Sequence, residues 1–327
     1  MNKHYLVTGG TGFIGSGVVK ALLKAGHKIT ILDDNSRGRP RRLEGFLKDV
    51  RMVDGDVRNP QDVMRATEGV DGVMHLAYVN GTEFFYSKPE VVLDVGVKGM
   101  VNILDACLHH KVRELVLASS SEVYQTPPMV PTPETVPLIV PDPMNPRYSY
   151  GSGKIISEMM TLHYGAKFFD RSLIFRPHNV FGEDMGWEHV IPQFALRMGE
   201  LTRKQESGTL KFPIQGTGKE QRSFVYIDDF VDGLMTMINH GEHMNIYNIG
   251  TSEEKTMADV AHLVGKCFDR TIELAPGPEA KGGTQRRCPD ITKLSALGYK
   301  PKWTLEKSLP KVVKWYDENR DKRQENA

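Results

Sequence analysis

A glycine-rich turn near the N-terminus constrains the fold of this 327-residue chain more than any other segment. The apolar run 5–8 leads into the sequence GGTGFIG at residues 9–15, and apolar residues then recur at helical spacing. Glycines in such a strand-to-helix turn let the backbone approach a pyrophosphate, whose charge is stabilised by free N–H groups at the helix N-terminus. The turn therefore predicts a dinucleotide site that uses Gly9, Gly12, Phe13, Ile14 and Gly15.

Short apolar runs and helix-like segments alternate through the first half of the chain. The predicted strands are 5–8, 28–32, 72–77, 114–119 and 172–176, and the predicted helices are 13–25, 91–110 and 150–164. Strands separated by helices of this length predict an α/β fold with a Rossmann-type, doubly wound parallel sheet. Residues 125–146 include eight prolines and should form a surface loop that borders a site. We assign 1–176 to a dinucleotide-binding domain and 177–327 mainly to a smaller C-terminal substrate-binding region, with some segments returning to the sheet.

Composition narrows the classes of function. The chain has 42 Lys and Arg against 41 Asp and Glu, so no overall field attracts nucleic acid or a membrane surface. Its three cysteines lack CxxC spacing and predict neither a disulfide framework nor a metal site. There is no signal-peptide pattern and no apolar run of the roughly 20 residues that a membrane span needs. We therefore expect a cytoplasmic protein.

An acidic residue at the end of the second predicted strand selects the dinucleotide. Asp33 can accept hydrogen bonds from both ribose hydroxyls of NAD and would repel the 2′-phosphate of NADP. Arg37 and Arg39 leave room for NADP, but we expect both to be exposed and flexible and therefore favour NAD. A solvated turn residue is the alternative for Asp33. Asp56, in the sequence GDV at 55–57, is either a contact to the adenine amine or a turn aspartate.

Tyr150 and Lys154 lie four residues apart in a predicted helix and so share one face. A nearby cation can lower the pKa of a tyrosine from about 10 by about 1 to 3 units, and oxidised nicotinamide adds a second positive charge. The phenol could then take a proton from a sugar hydroxyl while hydride is transferred to NAD. Tyr148 is the rival base, but its partner at the same spacing is the uncharged Ser152. A Tyr and Lys four apart on a helix are usually a surface pair, so this pair indicates catalysis only together with the glycine loop.

These motifs together resemble the extended short-chain dehydrogenase/reductase family, specifically its NAD-dependent nucleotide-sugar epimerases and dehydratases. The resemblance runs from about residue 3 to 310 and is carried by TGGTGFIG at 8–15, Asp33, GDV at 55–57, HLA at 75–77, SSSEVY at 119–124 and YGSGK at 150–154. It implies a nucleotide-sugar substrate that is oxidised at C4, with NAD that stays bound and is recycled. Tyr150 would be the base, Lys154 would also bind the nicotinamide ribose, and Ser120 would orient the reacting oxygen. The further implied cofactor contacts are Asp56, Val57, Leu76 and Ala77.

The resemblance also implies positions for the substrate. Asn179, in the Arg-x-x-Asn-x-x-Gly sequence at 176–182, would contact the sugar nucleotide. Arg222 and Arg287 would grip its diphosphate through charge-assisted hydrogen bonds, although an ordinary ion pair, for instance with Asp290, is the alternative for Arg287. His189 would contact the sugar or serve as a capping or packing residue. Ser121 is also assigned to substrate binding.

Glu122 is the residue most informative about the reaction. The triplet SSE at 120–122 is similar to the Thr-Ser-Glu or Thr-Asp-Glu of 4,6-dehydratases and uronic acid decarboxylases, where the glutamate acts at C5. C4 epimerases typically carry a small or neutral residue there, and a solvent-facing glutamate is the structural alternative. We predict C4 oxidation followed by 4,6-dehydration or epimerisation. The alternatives are a C4 dehydrogenase, a uronic acid decarboxylase and, in another class, a non-catalytic NAD-binding sensor or scaffold.

Three positions depart from the family pattern. Gln125 replaces a glycine after Val-Tyr, and Gly96 and Met100 stand where Asn-Val-x-Gly-Thr would put Asn and Thr. The missing Asn normally belongs to a polar network near the active-site lysine, so water or another side chain must take over. Unusually bulky residues beside the sugar pocket indicate an atypical sugar or a pathway-specific variant; they are Tyr78, Phe84 and Phe85.

Relatives in this family commonly pair through two long helices. In this chain these would be about 91–110 and 150–164. The resemblance therefore implies a homodimer held by a four-helix contact.

Overall fold

A seven-stranded parallel sheet forms the centre of the protein, for which a computed structural model describes residues 2–278 and 284–326. The strands lie in the order β11-β6-β5-β4-β1-β2-β3, and all neighbouring pairs are parallel. This confirms the predicted α/β fold with a Rossmann-type, doubly wound sheet. The strands are β1 (His4–Thr8), β2 (Lys28–Asp33), β3 (Val50–Asp54), β4 (Gly72–His75), β5 (Glu114–Ala118), β6 (Arg171–Pro177) and β11 (Asn245–Ile249).

Helices cover both faces of this sheet. In β1, Tyr5 and Val7 point into one apolar core, while Leu6 points into another on the opposite face. Because both faces are buried, the central strands have nearly continuous apolar sequences instead of alternating ones. The helices are α1 (Phe13–Lys24), α2 (Pro60–Thr67), α3 (Thr82–Ser87), α4 (Pro89–Leu93), α5 (Gly99–His109), α6 (Ser149–Phe168), α7 (Val190–Lys204), α8 (Ile227–His240), α9 (Met257–Cys267), α10 (Thr292–Ala296) and α11 (Leu305–Glu318).

The helix predicted over 91–110 is divided. Helix α4 leads into a single π-helical segment, Asp94–Lys98, which continues into α5. A π-bulge inside a helix widens one turn and is often found at a functional site. The wide turn includes Gly96, against which the phenol of Tyr78 packs.

The C-terminal region has its own apolar core, to which Trp187, Phe212, Val260 and Tyr316 belong. Two elements of this region, α8 and β11, return to the central sheet. The remaining strands are short and form three small sheets, in the orders β10-β7, β12-β9-β14 and β13-β8. They are β7 (Val180–Phe181), β8 (Leu210–Ile214), β9 (Gln221–Ser223), β10 (Val225–Tyr226), β12 (Glu254–Thr256), β13 (Ile272–Pro276) and β14 (Arg286–Arg287).

Two features of the topology place the functional site. The strand order reverses between β1 and β4, and ligands of doubly wound sheets bind at the carboxyl ends of the strands at such a reversal. The proline-rich loop 125–146 reaches the C-terminal region, because the Thr132 amide donates to the Cys288 carbonyl (2.9 Å) and the Asp290 amide donates to the Thr132 carbonyl (3.0 Å). These two hydrogen bonds fix β14 close to the carboxyl ends of the central strands.

Candidate active site

A cavity of about 430 Å³ opens at the reversal point and is lined from both parts of the chain. This volume is in the range of small-ligand sites. Arg222 is the one predicted site residue that does not line it. The predicted residues that do are Gly9, Gly12, Phe13, Ile14, Gly15, Asp33, Asp56, Val57, Leu76, Ala77, Ser120, Ser121, Glu122, Tyr150, Lys154, Asn179, His189 and Arg287.

The glycine loop forms a narrow backbone cradle at one end of this cavity. Gly9 has a φ of +71°, which L side chains rarely adopt, and its carbonyl oxygen would lie 2.0 Å from a Cβ added at Gly15. Helix α1 begins directly after Gly12, which has no side chain to cap the first turn. The N–H groups of that turn are therefore available to an anion, which fits a dinucleotide pyrophosphate.

Asp33 lies at the end of β2 beside the cradle and is only 8% exposed. Its carboxylate accepts hydrogen bonds from the amides of Thr11 (2.9 Å) and Asn35 (3.0 Å). An ionised carboxylate has about four acceptor sites, so capacity remains for ribose hydroxyls.

The expectation that Arg37 and Arg39 are exposed and flexible is wrong. The Arg37 guanidinium lies 4.9 Å from the centre of the Phe84 ring and lines the cavity, and its burial lowers the pKa of Arg37. Arg39 donates to the carbonyls of Asn35 (3.1 Å) and Gly38 (2.6 Å). Both side chains are held because the loop after β2 folds back over the cavity.

The remaining predicted cofactor residues follow β3 and β4. Asp56 accepts a hydrogen bond from the Arg58 guanidinium (2.6 Å), and hydrogen bonding to that side chain lowers the pKa of Asp56. The amides of Leu76 and Ala77 both donate to the hydroxyl of Thr8 at 3.1 Å. The end of β4 is therefore tied to the end of β1, where the cavity begins.

Tyr150, at the start of α6, lies between two aromatic rings. Phe85 stacks on it with 4.9 Å between ring centres, and Tyr78 contacts it edge-on at 5.0 Å. Burial raises the pKa of Tyr150, a hydrogen bond with Ser120 lowers it, and the negative charge of Glu122 raises it further. The side chains alone therefore do not lower the pKa of the phenol as the sequence predicted.

Lys154 follows one turn later in α6 and is 3% exposed. Its ammonium donates to the Ala118 carbonyl (2.6 Å) and lies 5.8 Å from the centre of the Tyr150 ring. Burial lowers the pKa of Lys154 to about 7, although the negative charge of Glu158 opposes this effect. Glu158 is itself held by Arg176 in a buried ion pair of 2.6 Å.

Glu122 pairs with Arg287 across 2.5 Å, so this glutamate faces a cation and not solvent. The alternative of an ion pair at Arg287 is therefore met, with Glu122 and not Asp290 as the partner. Burial raises the pKa of Glu122, but the positive charges of Arg287, Arg147 and Arg222 outweigh burial and hold that pKa below its usual range. The glutamate is therefore a carboxylate at neutral pH, surrounded by three guanidinium groups.

Arg222 lies next to this cluster, because its strand β9 pairs with β14 so that Arg222 is opposite Arg287. Its guanidinium donates to the carbonyls of Gln221 (2.8 Å) and Thr284 (2.5 Å), and burial lowers the pKa of Arg222 to about 10. The two arginines predicted from separate motifs are thus cross-strand neighbours.

Asn179 and His189 form part of the opposite wall. Asn179 donates its side-chain amide to the Ser223 carbonyl (2.8 Å). His189 precedes α7 but makes no capping hydrogen bond to it within the described residues. Burial, together with the charge of Arg37, lowers the pKa of His189 to about 4, so the imidazole is neutral near pH 7.

Sequence reasoning missed Arg147 and the way in which Gln125 is accommodated. Gln125 adopts a φ of +48°, where the family has glycine, and its side-chain amide donates to the Glu122 carbonyl (2.6 Å). A Cβ added at Gly151 would lie 2.5 Å from that amide nitrogen. The signal that could have revealed this contact is the pair of glycines within the helix at 151 and 153, because glycine is unfavourable in a helix interior.

Two classes of structure are not found in the described part of the chain. Across residues 2–278 and 284–326, no group of three or more His, Cys, Asp or Glu side chains is arranged to hold a metal ion. Over the same ranges, no helix combines the length and apolar character that a membrane crossing requires.

Comparison with known proteins agrees with this geometry. The chain is 30% identical over 321 residues to UDP-glucuronic acid decarboxylase 1 of Danio rerio, covering 96% of this chain and 72% of that protein. A dTDP-glucose 4,6-dehydratase of Streptomyces venezuelae, solved with NAD, superposes with a TM-score of 0.84 at 27% identity, covering 99% of this chain and 100% of that one. UDP-glucose 4-epimerase of Thermus thermophilus, also solved with NAD, gives a TM-score of 0.83 at 26% identity, covering 96% of this chain and 98% of that one.

The model of the NAD dependent epimerase/dehydratase family matches residues 5–250. This range includes the glycine loop, Asp33, Ser120, Tyr150 and Lys154. The chain therefore belongs to the NAD-dependent epimerase/dehydratase family, whose members are enzymes that act on nucleotide sugars.

Proposed function

We propose that this enzyme oxidises C4 of a nucleotide-linked hexuronic acid and then removes the C6 carboxyl group as carbon dioxide. The observation that carries the proposal is the Glu122–Arg287 ion pair in the cavity, with Arg147 and Arg222 close by. The name of the Danio rerio relative points to the same reaction. In this proposal NAD is bound by residues 1–176 and the nucleotide sugar mainly by 177–327, with Asn179, His189, Ser121, Arg222 and Arg287 as its contacts.

The first step uses the groups on α6 and at the end of β5. Tyr150 takes the proton of the C4 hydroxyl, Ser120 orients that hydroxyl by hydrogen bonding, and Lys154 supplies positive charge beside the nicotinamide ribose. NAD, when bound, accepts a hydride from C4 and later returns it. The product of this step is a 4-keto sugar.

The second step follows from the position of the new carbonyl group. A 4-keto hexuronic acid is a β-keto acid, so its C5–C6 bond can break with the electron pair moving to the C4 oxygen as carbon dioxide leaves. Arg287 binds the carboxylate before the bond breaks, and Glu122 orients the water that afterwards protonates C5. No hydroxyl leaves from C6, so no side chain has to protonate a leaving group. Tyr150 returns its proton to the C4 oxygen when the hydride returns to C4.

Dehydration across C5 and C6 is the second candidate, and the sequence motifs ranked it higher. It requires an acid that protonates the C6 hydroxyl as it leaves. Ser121 is a very weak acid, and Glu122 carries no proton because the arginines lower its pKa.

Epimerisation requires space in which the keto sugar can rotate, and Tyr78 and Phe85 occupy space on two sides of Tyr150. Both points favour decarboxylation.

The test is to incubate the NAD-loaded chain with UDP-glucuronic acid, UDP-N-acetylglucosaminuronic acid, UDP-glucose and dTDP-glucose and to weigh the products. We expect loss of carbon dioxide from a uronic acid. Loss of water would make the enzyme a dehydratase, and an altered configuration at unchanged mass would make it an epimerase. Binding of NAD without binding of any nucleotide sugar would support the non-catalytic sensor instead.

We also propose that two copies of the chain pair through α5 and α6. Both helices carry exposed apolar side chains: Val101 and Leu108 are 38% exposed, Ile156 is 40% exposed and Met159 is 55% exposed. Exposed apolar side chains on two neighbouring helices would be covered if these helices packed against another protein surface. Sedimentation should show a dimer that Met159→Glu dissociates, while Met144→Glu, on the proline-rich loop, leaves it intact. A monomeric wild-type chain would contradict the proposal.

We further infer that the enzyme works in the reducing environment of the cytoplasm. Cys107, Cys267 and Cys288 are all free thiols, which is usual for proteins of that compartment. Fractionation of cells that produce the protein tests this inference, and recovery outside the cytoplasm would contradict it.

A further inference from the structure

We propose that Tyr78 is a positioning residue for Lys154, and that the face of its ring replaces the polar network that an asparagine at position 96 would supply. This inference rests on the proposed function, in which Lys154 supplies positive charge beside Tyr150. It assigns a role to one of the bulky residues that the family pattern left unexplained.

The first observation is the contact between the ring and the ammonium. The Lys154 Nζ lies 3.9 Å from the centre of the Tyr78 ring and 5.8 Å from that of Tyr150. An ammonium has three donors, and the Ala118 carbonyl accepts one of them. The negative face of an aromatic ring attracts a cation most strongly where water is excluded, as it is around this buried lysine.

The second observation is that two glycines make room for this ring. A Cβ added at Gly96 would lie 2.1 Å from the Tyr78 hydroxyl oxygen, and a Cβ added at Gly153 would lie at the same distance from that atom. Gly96 belongs to the π-helical turn and Gly153 to α6. The phenol therefore occupies the volume that an asparagine side chain at position 96 would need.

The third observation is that the ring of Tyr78, and not its hydroxyl group, makes the favourable contacts. The hydroxyl is buried and finds no hydrogen-bond partner in residues 2–278 and 284–326, whereas buried tyrosine hydroxyls usually have one. An unpaired buried hydroxyl is unfavourable, so it does not explain why tyrosine is useful here. The ring, by contrast, contacts both Lys154 and Tyr150.

Several ionisable groups surround Lys154 and must be considered in any titration. Tyr150 and Glu158 belong to its own helix, and His75 lies at the end of β4. Beyond this first layer, Arg176 pairs with Glu158 and the charge of Glu122 acts on Tyr150. The charged side chains of the π-helical turn pair with each other at 2.5 Å on the surface; they are Asp94 and Lys98. A change that alters only the Tyr78 ring leaves all these groups in place.

The test varies the electron density of the ring without changing its shape. Tyr78→Phe is followed by variants in which the phenylalanine at this position carries two and then five fluorine atoms. The pKa of Lys154 is read from the ¹³Cε resonance of the labelled lysine in the full chain with NAD added, and Lys154→Arg identifies the signal. We expect Tyr78→Phe to keep the wild-type pKa and an equal or higher unfolding midpoint. Fluorination should lower the pKa of Lys154 progressively, by about one unit in all. A constant pKa across the series would overturn the proposal.

A second set of variants tests the replacement of the asparagine. Gly96→Asn alone should disturb the site, because the new side chain meets the Tyr78 phenol. Gly96→Asn combined with Tyr78→Ala should bring the pKa of Lys154 closer to that of the wild type than Tyr78→Ala alone does. If the pKa of Lys154 were the same in the double variant and in Tyr78→Ala, the proposal that the Tyr78 ring replaces an asparagine would be contradicted. Since both readouts are spectroscopic, they remain valid if no uronic acid is decarboxylated, so the two proposals can fail separately.

Discussion

The two halves of the cavity are built in different ways. The cofactor end is centred on the backbone of the glycine loop and on Asp33, which lie within the first 33 residues of the chain. The substrate end depends on an ion pair between Glu122 and Arg287, which are 165 residues apart. The glycine loop can be recognised in one motif, whereas the ion pair exists only when the segment after β5 and β14 come together. We therefore expect substitutions in the first half to affect NAD binding and substitutions in the second half to affect the reaction of the nucleotide sugar.

The largest effect is expected at the junction of the two halves. Tyr150→Phe removes the proposed base and should lower turnover about 1,000-fold, within the range for loss of general base catalysis. Binding of NAD, measured by calorimetry, should remain, because the glycine cradle is unchanged. Tyr148→Phe is the matched control, since Tyr148 lies just before α6 and does not line the cavity. Equal activity of the two variants would contradict the assignment.

The next effect separates the substrate half from the cofactor half. Arg287→Ala leaves the half-buried Glu122 without its ion-pair partner and should lower kcat/KM for the nucleotide sugar about 100-fold while NAD affinity is retained. Arg286→Ala provides the comparison at the neighbouring position, because the Arg286–Glu254 pair is exposed and should contribute little. If both variants lost activity to the same extent, general damage to β14 and not loss of the ion pair would be responsible.

A change in the cofactor half should weaken NAD binding, whereas the change in the substrate half should leave it intact. Gly15→Ala places a Cβ 2.0 Å from the Gly9 carbonyl oxygen and should cost about 2 kcal/mol of unfolding free energy and weaken NAD binding. The control is Gly17→Ala in the same helix, whose Cβ would meet a methyl group of Val231 at 3.1 Å, a much smaller overlap than the one at position 15. Denaturant titration and calorimetry measure both quantities. Undiminished NAD affinity in Gly15→Ala would show that the cradle is not the pyrophosphate site.

The smallest expected effect is a loss of stability at acid pH. It should be similar at the two ends of the cavity, because each end has a buried histidine. Burial lowers the pKa of His75, beside the cofactor end, and of His178, beside the substrate end, to about 3 from 6.5. Between these values the unfolded chain binds more protons than the folded one, so stability is lost as pH falls below 6.5 and is constant above it. Each histidine should account for about 1.4 kcal/mol at pH 5.5.

Unfolding midpoints measured from pH 7 to 5.5 provide the check on this pH dependence. His75→Asn and His178→Gln should each reduce the number of protons taken up on unfolding at pH 5.5 by about one. If only one of the two variants reduced the pH dependence of stability, the two histidines would differ in how burial affects their pKa.

Residues close together in the sequence were predictable, and those brought together by distant segments were not. The sheet, helix α1 and the positions of Asp33, Tyr150 and Lys154 follow from local periodicity and motif spacing, which report on one strand or helix at a time. The buried Arg37, the Arg147 charge near Glu122 and the raised pKa of Tyr150 depend on which surfaces meet in the folded chain. No local pattern contains that information.

The break in the helix predicted over 91–110 has the same cause. Periodicity predicts a continuous helix, and the π-helical turn arises where Tyr78, from another segment, packs on Gly96. The sequence did contain a partial signal, because Gly96 and Gly153 are glycines inside helices. Such glycines show where another group approaches closely, although they do not say which one.

The contact between Gln125 and Gly151 also limits the order in which this site can change during evolution. With any side chain at position 151, the present position of the Gln125 amide is blocked. A lineage that loses the helix glycine must therefore move the glutamine amide and give up its hydrogen bond to the Glu122 carbonyl. The two positions are consequently expected to vary together among descendants of this sequence, although one lies on a loop and the other on a helix.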